Sequence, residues 1–246
     1  MHSIIARTTG TNWIEGHRDS DFNLNAESAI EQIKQSRPQI IYITSPNNPT
    51  GTSVSTETQR AIFETARELG AVVVVDEAYA EFAHTPTDSA VHLLGAFPNV
   101  LVTRTMSKAF AMAGTRLGYL VADSAVIDAL MLVRLPYHLS AVTQAVALAA
   151  LRHADELLAT VEAIKDQRDR ITEELTKMGF SPIHSDANFV LFGPFADSKV
   201  AWEALLDHGV LIRDVGLPGL LRVTAGTAAE TTAFLEALGK ISEETR

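Results

Sequence analysis

Cysteine is absent from all 246 residues of the chain. Disulfides, thiolate metal centres and thiolate-held clusters are thereby excluded. Basic charge is scarce as well: 20 Lys and Arg stand against 30 Asp and Glu, for a formal net charge of −10. A surface of that sign repels phosphodiester backbones and anionic bilayers, so no nucleic acid and no membrane is expected as a partner. No apolar run nears the ~20 residues of a spanning helix. The first residues lack the charged and apolar blocks of a secretory leader, so a cytoplasmic chain is expected. The eight histidines (His2, His17, His84, His92, His138, His153, His184, His208) stand singly, none in an H-x-x-x-H spacing. Structural or surface roles are expected of them, and no metal. A G-x-x-x-x-G-K-[ST] phosphate loop is also missing: the single Gly-Lys pair, Gly239-Lys240, has no glycine at the required earlier position and no strand before it.

Apolar residues make up 46% of the chain, enough for a large core and one or two domains. Three β-branched runs, at 40–44, 72–75 and 100–102, each end in polar residues. In open α/β sheets, binding groups gather at the carboxyl ends of strands. After the third run comes Thr105-Met106-Ser107-Lys108, with Arg116 eight residues beyond the lysine. A lysine amine in an apolar pocket has a lowered pKa and condenses with carbonyls. Neighbouring hydroxyls and an arginine suit a phosphate dianion. A phosphorylated aldehyde held at both ends in this way describes pyridoxal 5'-phosphate (PLP). A lone Ser-Lys pair is more often a surface lysine, but two further motifs point to the cofactor. Asp76 stands where the valine run ends and can keep a pyridine nitrogen protonated, making the ring an electron sink. Tyr79, three residues on, can donate to the ring's phenolic oxygen. Asp-Glu after an apolar strand also describes a magnesium-holding carboxylate, which the missing phosphate loop leaves without its partner. The third motif, Ser45-Pro46-Asn47-Asn48-Pro49-Thr50-Gly51, is an ordinary rigid turn whose value lies in its place at a strand end.

With these residues in order, the chain resembles the PLP-dependent aminotransferases of the aspartate-aminotransferase superfamily, fold type I, and among them the histidinol-phosphate aminotransferases. The resemblance runs through Asn48-Pro49-Thr50-Gly51, Asp76-Glu77-Ala78-Tyr79, Ser107-Lys108 and Arg116. It continues in Arg134-Leu135-Pro136-Tyr137-His138-Leu139-Ser140, Ala187-Asn188-Phe189, Ile212-Arg213-Asp214 and Leu221-Arg222-Val223-Thr224-Ala225-Gly226-Thr227. It implies that Lys108 links to the cofactor and moves the proton, and that Asp76 pairs with the ring nitrogen. Asn48 and Tyr79 would bond the 3'-oxygen, and Thr105, Ser107 and Arg116 the phosphate. Arg222 would bind the substrate carboxylate, and Arg213 the substrate phosphate or the side-chain carboxylate of glutamate. The plain alternative for the two arginines is a surface ion pair with Asp214 or Asp207. The implied reaction moves an amino group between histidinol phosphate and 2-oxoglutarate, in a homodimer. An aromatic-amino-acid aminotransferase, a related decarboxylase of the same fold and a non-catalytic remnant are the alternatives.

Members of the resembled family extend further at the amino end. The resemblance therefore implies that a loop for the cofactor phosphate and an aromatic stacking on its ring are missing here. Of this chain alone it leads one to expect dimerisation or aggregation, weak PLP binding and little transamination.

The expected architecture is α/β: a large PLP-binding domain at 1–160, with about five strands of a mostly parallel sheet, and a small α+β domain at 161–246. Helices are expected at 56–69, 126–133, 139–151, 155–178, 199–207 and 228–243, with strands at 189–192, 210–212 and 220–224. Residues 139–151, alanine-rich and apolar almost all round, are expected to be buried.

Overall fold

The β-branched runs become a sheet whose strand ends are level with one another. In the computed structural model, which describes residues 2–245, helix α1 (His2–Thr8) and helix α2 (Ala26–Ser36) precede strand β1 (Ile40–Thr44). Helix α3 (Thr56–Glu68), strand β2 (Val72–Asp76), strand β3 (Val100–Thr105) and strand β4 (Gly118–Ala122) follow. The strands are ordered β1-β2-β3-β4, the first three parallel and the last antiparallel. Register places Thr44 beside Asp76 and Asp76 beside Thr103, so three polar chain exits share one rim. The sheet holds four strands rather than the five expected. Strand β4 was not read from the sequence; its Gly118 faces Thr105, and a Cβ there would stand 2.8 Å from the Arg104 carbonyl oxygen.

Helices α2 and α3 begin on the side-chain caps of Asn25 and Ser55. Their apolar faces cover one side of the sheet, enclosing Ile33, Ile43, Ile62, Phe63, Val73, Val75, Val100 and Val102. Helix α3 ends before Gly70, whose φ of +70° closes it.

Helices α4 (Ser124–Val133) and α5 (Ala141–Arg152) lead into the 24-residue helix α6 (Ala154–Lys177). Val161 of α6 packs with Tyr79, Phe82, Ala109, Ala187 and Phe189, whereas Ile171 and Leu175 lie in a second core. That core is built on strands β5 (Phe189–Phe192), β6 (Arg213–Asp214) and β7 (Leu221–Thr224), with helices α7 (Ser198–Asp207) and α8 (Ala228–Thr245) against them. Its sheet is antiparallel, ordered β5-β7-β6. The strand expected at 210–212 lies instead at Arg213–Asp214, since Ile212 turns into the core and its carbonyl accepts a bond from Trp202 Nε1 at 2.9 Å.

Helix α5 departs from expectation. Of its residues only Ala147 is buried, and together with α4 and the connection between them it presents Leu132, Val133, Tyr137, Val142 and Leu148 to solvent. Composition reported its apolarity correctly, but among the described residues only Ala147 and Ala150 find a cluster, with Met106, Phe110, Met112 and Leu117, and most of the helix stays exposed.

One turn is fixed unusually tightly. Gly51 has φ +82°, and a Cβ on it would collide with Ser185 of the loop before β5. Its carbonyl also accepts the Asp186 N–H at 2.8 Å. Gly51→Ala is therefore expected to lower stability by about 1–3 kcal/mol from backbone strain alone, with the collision added. Chemical denaturation checks this, and an unchanged midpoint would count against the described packing.

Candidate active site

Four predicted side chains, Tyr79, Asn48, Arg222 and Lys108, come together, and a fifth, Asp76, stands at the end of β2. Tyr79 is held by burial and by an edge-to-face contact with Phe189, ring centroids 5.2 Å apart. Its hydroxyl accepts a hydrogen bond from Asn48 Nδ2 at 3.1 Å. Asn48 Oδ1 in turn accepts Arg222 Nη1 at 2.6 Å, and the Arg222 guanidinium lies 4.6 Å from the Phe189 ring centroid. Lys108 Nζ stands 5.6 Å from the centre of the Tyr79 ring, on an exposed side chain free to reach into the crevice. Asp76 closes β2, and its Oδ1 accepts the Ala78 N–H at 3.1 Å, which fixes the turn carrying Tyr79.

The electrostatics favour an anionic guest. Burial lowers the Arg222 pKa, the phenol of Tyr79 works against that, and Arg213 adds to the lowering. Arg213 is the direct cross-strand neighbour of Arg222. Arg222 Nε is buried with no partner among the described residues. Neither arginine is ion-paired among the described residues, so the surface pair with Asp214 or Asp207 does not form. Two adjacent cations and an unpartnered buried N–H make a seat for carboxylate or phosphate.

The hydroxyl-rich turn is formed only in part. Thr105 Oγ1 accepts the Ser107 N–H at 3.1 Å and faces the Leu117 carbonyl at 3.4 Å. Arg116 does not join them: its Nη1 donates to the Ala113 carbonyl at 3.0 Å, from a residue with φ +55°.

Three further residues belong to this region and were not read from the sequence. His2 Nε2 approaches Asp76 Oδ2 at 3.3 Å, and its ring stacks on Tyr42 with centroids 4.7 Å apart. No spacing rule links His2 to residues so far along the chain, so this contact was not legible in the sequence. Beneath the turn, buried Glu77 accepts Arg104 Nη2 at 2.8 Å, Ser89 Oγ at 2.8 Å and the Ala90 N–H at 2.6 Å. Burial opposes the Arg104 charge, but Glu77 and Glu81 outweigh it and hold the guanidinium pKa above its usual value. Burial likewise raises the Glu81 carboxyl, against its bonds to backbone and Arg104. This ion-pair cluster ties the exit of β2 to that of β3, and so sets Asp76 and Tyr79 relative to Lys108.

Lys108 beside the Tyr79 ring, the Tyr79–Asn48–Arg222 chain and Asp76 at the end of β2 are the groups that the sequence motifs singled out. The model for aminotransferase class I and II matches residues 1–238, and the chain belongs to that family. It is 55% identical over 245 residues to the histidinol-phosphate aminotransferase of Streptomyces avermitilis, covering 99% of this chain and 66% of that protein. The Thermobifida fusca histidinol-phosphate aminotransferase is 56% identical over 238 residues, covering 97% of this chain and 64% of the relative. The chain thus spans slightly less than two thirds of the length of these relatives. Among solved structures, the histidinol-phosphate aminotransferase of Clostridium acetobutylicum superposes with a TM-score of 0.90 at 26% identity, covering 99% of this chain and 75% of that one. That of Sinorhizobium meliloti, in complex with pyridoxal-5'-phosphate, gives 0.87 at 27% identity, covering 98% and 67%.

Proposed function

We propose that the chain is part of a PLP-dependent aminotransferase that moves an amino group between histidinol phosphate and 2-oxoglutarate. The observation that carries this reading is the continuous chain Arg222–Asn48–Tyr79 beside Lys108, at the strand end that presents Asp76. PLP, when bound, supplies an electrophilic carbonyl and a ring that accepts electrons. Lys108 holds the cofactor through its amine and then moves a proton at the reacting carbon. Asp76 keeps a proton on the ring nitrogen, and His2 bears on the far oxygen of that carboxylate. Asn48 and Tyr79 orient the ring through its oxygen. Thr105 and Ser107 offer hydroxyls to the phosphate, and Arg116, exposed on its turn, swings to the same group. Arg213 and Arg222 receive the anionic ends of the substrates. The identity of the relatives from Streptomyces avermitilis and Thermobifida fusca supports histidinol phosphate as the amino donor.

Two further features belong to this reading. The chain divides at about residue 160, within α6, into a PLP-binding part and a small C-terminal part. The exposed apolar face of α4 and α5 is covered by a second copy in a cytoplasmic homodimer.

Arg222→Lys tests the specificity. Lysine keeps the charge but loses the fork that reaches Asn48 and a carboxylate together. A lost charged hydrogen bond of about 1.5–3 kcal/mol corresponds to roughly a ten- to hundredfold drop in kcat/KM for histidinol phosphate. Equal efficiency on phenylalanine and histidinol phosphate in the unaltered protein would shift the assignment to an aromatic-amino-acid aminotransferase.

A further inference from the structure

His84 and His184 lie 100 residues apart in the chain, in loops of the two halves of the molecule. In the fold their rings stack, centroids 5.2 Å apart and planes 30° from parallel. They share one carboxylate oxygen: Asp186 Oδ1 is 2.8 Å from His84 Nδ1 and 3.7 Å from His184 Nε2. One ligand atom from each of the three residues lies within 4.8 Å of the others. We propose that His84, His184 and Asp186 form a binding site for a divalent transition-metal ion of the zinc, nickel or copper class.

The chemistry of the donor set carries this. Two imidazoles and a carboxylate suit these borderline ions, which sit about 2.0–2.2 Å from such nitrogens and oxygens. Ligand atoms around a tetrahedral ion then stand roughly 3.3–3.5 Å apart by those bond lengths. The observed 2.8 and 3.7 Å bracket that separation, and the two imidazole nitrogens lie within 4.8 Å of each other, so the stacked rings must turn to close on an ion. His84 has its second nitrogen provided for. Its Nε2 lies 3.2 Å from Asp169 Oδ1 and 2.7 Å from Arg168 Nη2. When an ion takes Nδ1, the single ring proton resides on Nε2 and is donated to Asp169. This is the carboxylate–histidine–metal arrangement that fixes ring orientation. Arg168 then gives up only its contact to His84, and keeps those from Nη1 to the Phe82 and Ala187 carbonyls at 2.7 and 3.3 Å. His84 and His184, with Asp186 buried just behind them, border a cleft of about 410 Å³, also lined by Thr172, Glu173 and Lys177, which leaves room for water to complete the coordination.

The ion would staple two segments that wrap the Tyr79 ring. His84 closely follows the helical turn at Ala80–Phe82, and Asp186 precedes Ala187 and Phe189, which pack with Tyr79 in one cluster. The two histidines share no local motif and meet only in the fold.

Titration of the 246-residue chain with zinc chloride at neutral pH, followed by calorimetry and thermal melting, is the test. A single equivalent is expected to bind and to raise Tm. His184→Ala, at an exposed side chain, should weaken binding by more than about tenfold, the lower end of what even an outer partner's loss costs, and should erase the Tm rise. In the unaltered chain, histidine ring NMR signals of His84 and His184 should move together on zinc addition. Absence of binding in large zinc excess would overturn the proposal. So would binding that His184→Ala leaves intact, since the ion would then sit elsewhere.

Discussion

Borohydride reduction of the PLP-treated protein, expressed over the full length of its relatives, is expected to leave a phosphopyridoxyl group on Lys108, and Lys108→Ala to abolish transamination. The amine is the exposed group poised over Tyr79, so it is both the nucleophile nearest the crevice and a base able to move a proton there. Removing the proton-transfer role alone costs about 10²–10⁴-fold, and the covalent anchorage goes with it. Peptide mapping by mass spectrometry reads the first outcome and a coupled glutamate assay the second. A label confined to other lysines, or turnover in Lys108→Ala within tenfold of the unaltered protein, would remove Lys108 from its assigned role.

Asp76→Asn carries the second large effect. The carboxylate is the anion beside which a pyridinium is favoured over neutral pyridine, and the isosteric amide keeps the turn but not the charge. Cofactor affinity should fall only modestly, because Tyr79, Asn48 and the hydroxyl-rich turn remain. Turnover should fall by at least about a hundredfold, as proton abstraction loses its electron sink. Separate measurement of PLP affinity by fluorescence and of kcat by assay distinguishes the two. Near-normal kcat would mean that ring protonation does not depend on Asp76.

Much of the cofactor side of this site was legible because strand ends are readable. The runs at 40–44, 72–75 and 100–102 became adjacent parallel strands, and the polar residues after them gathered at one rim. Asn48, Tyr79 and Arg222 were named from motifs, and the structure joins them by hydrogen bonds. What escaped were contacts between residues without a shared local pattern. His2 against Asp76, Arg104 under Glu77 and the His84–His184 pair all join residues far apart along the chain. Helix α5 shows a different limit. Its alanine-rich, apolar composition leads to an expectation of burial, but periodicity says nothing of where a cover would come from.

The pleat of β2 gives the valine run a reading frame. Asp76 faces His2 and the crevice, while Glu77, the next residue, is sunk in the opposite direction against Ser89, Ala90 and Arg104. Because side chains alternate along a strand, the length of Val72–Val75 decides which carboxylate reaches which side. Losing one valine would bring Glu77 to the place of Asp76 and Ala78 to that of Glu77, so the half-buried arginine would lose its carboxylate and the other face would receive one a methylene too long. Losing two would restore the facing but shorten the reach. Parity, as much as chemistry, therefore constrains how this stretch can vary among sequences that keep the same site.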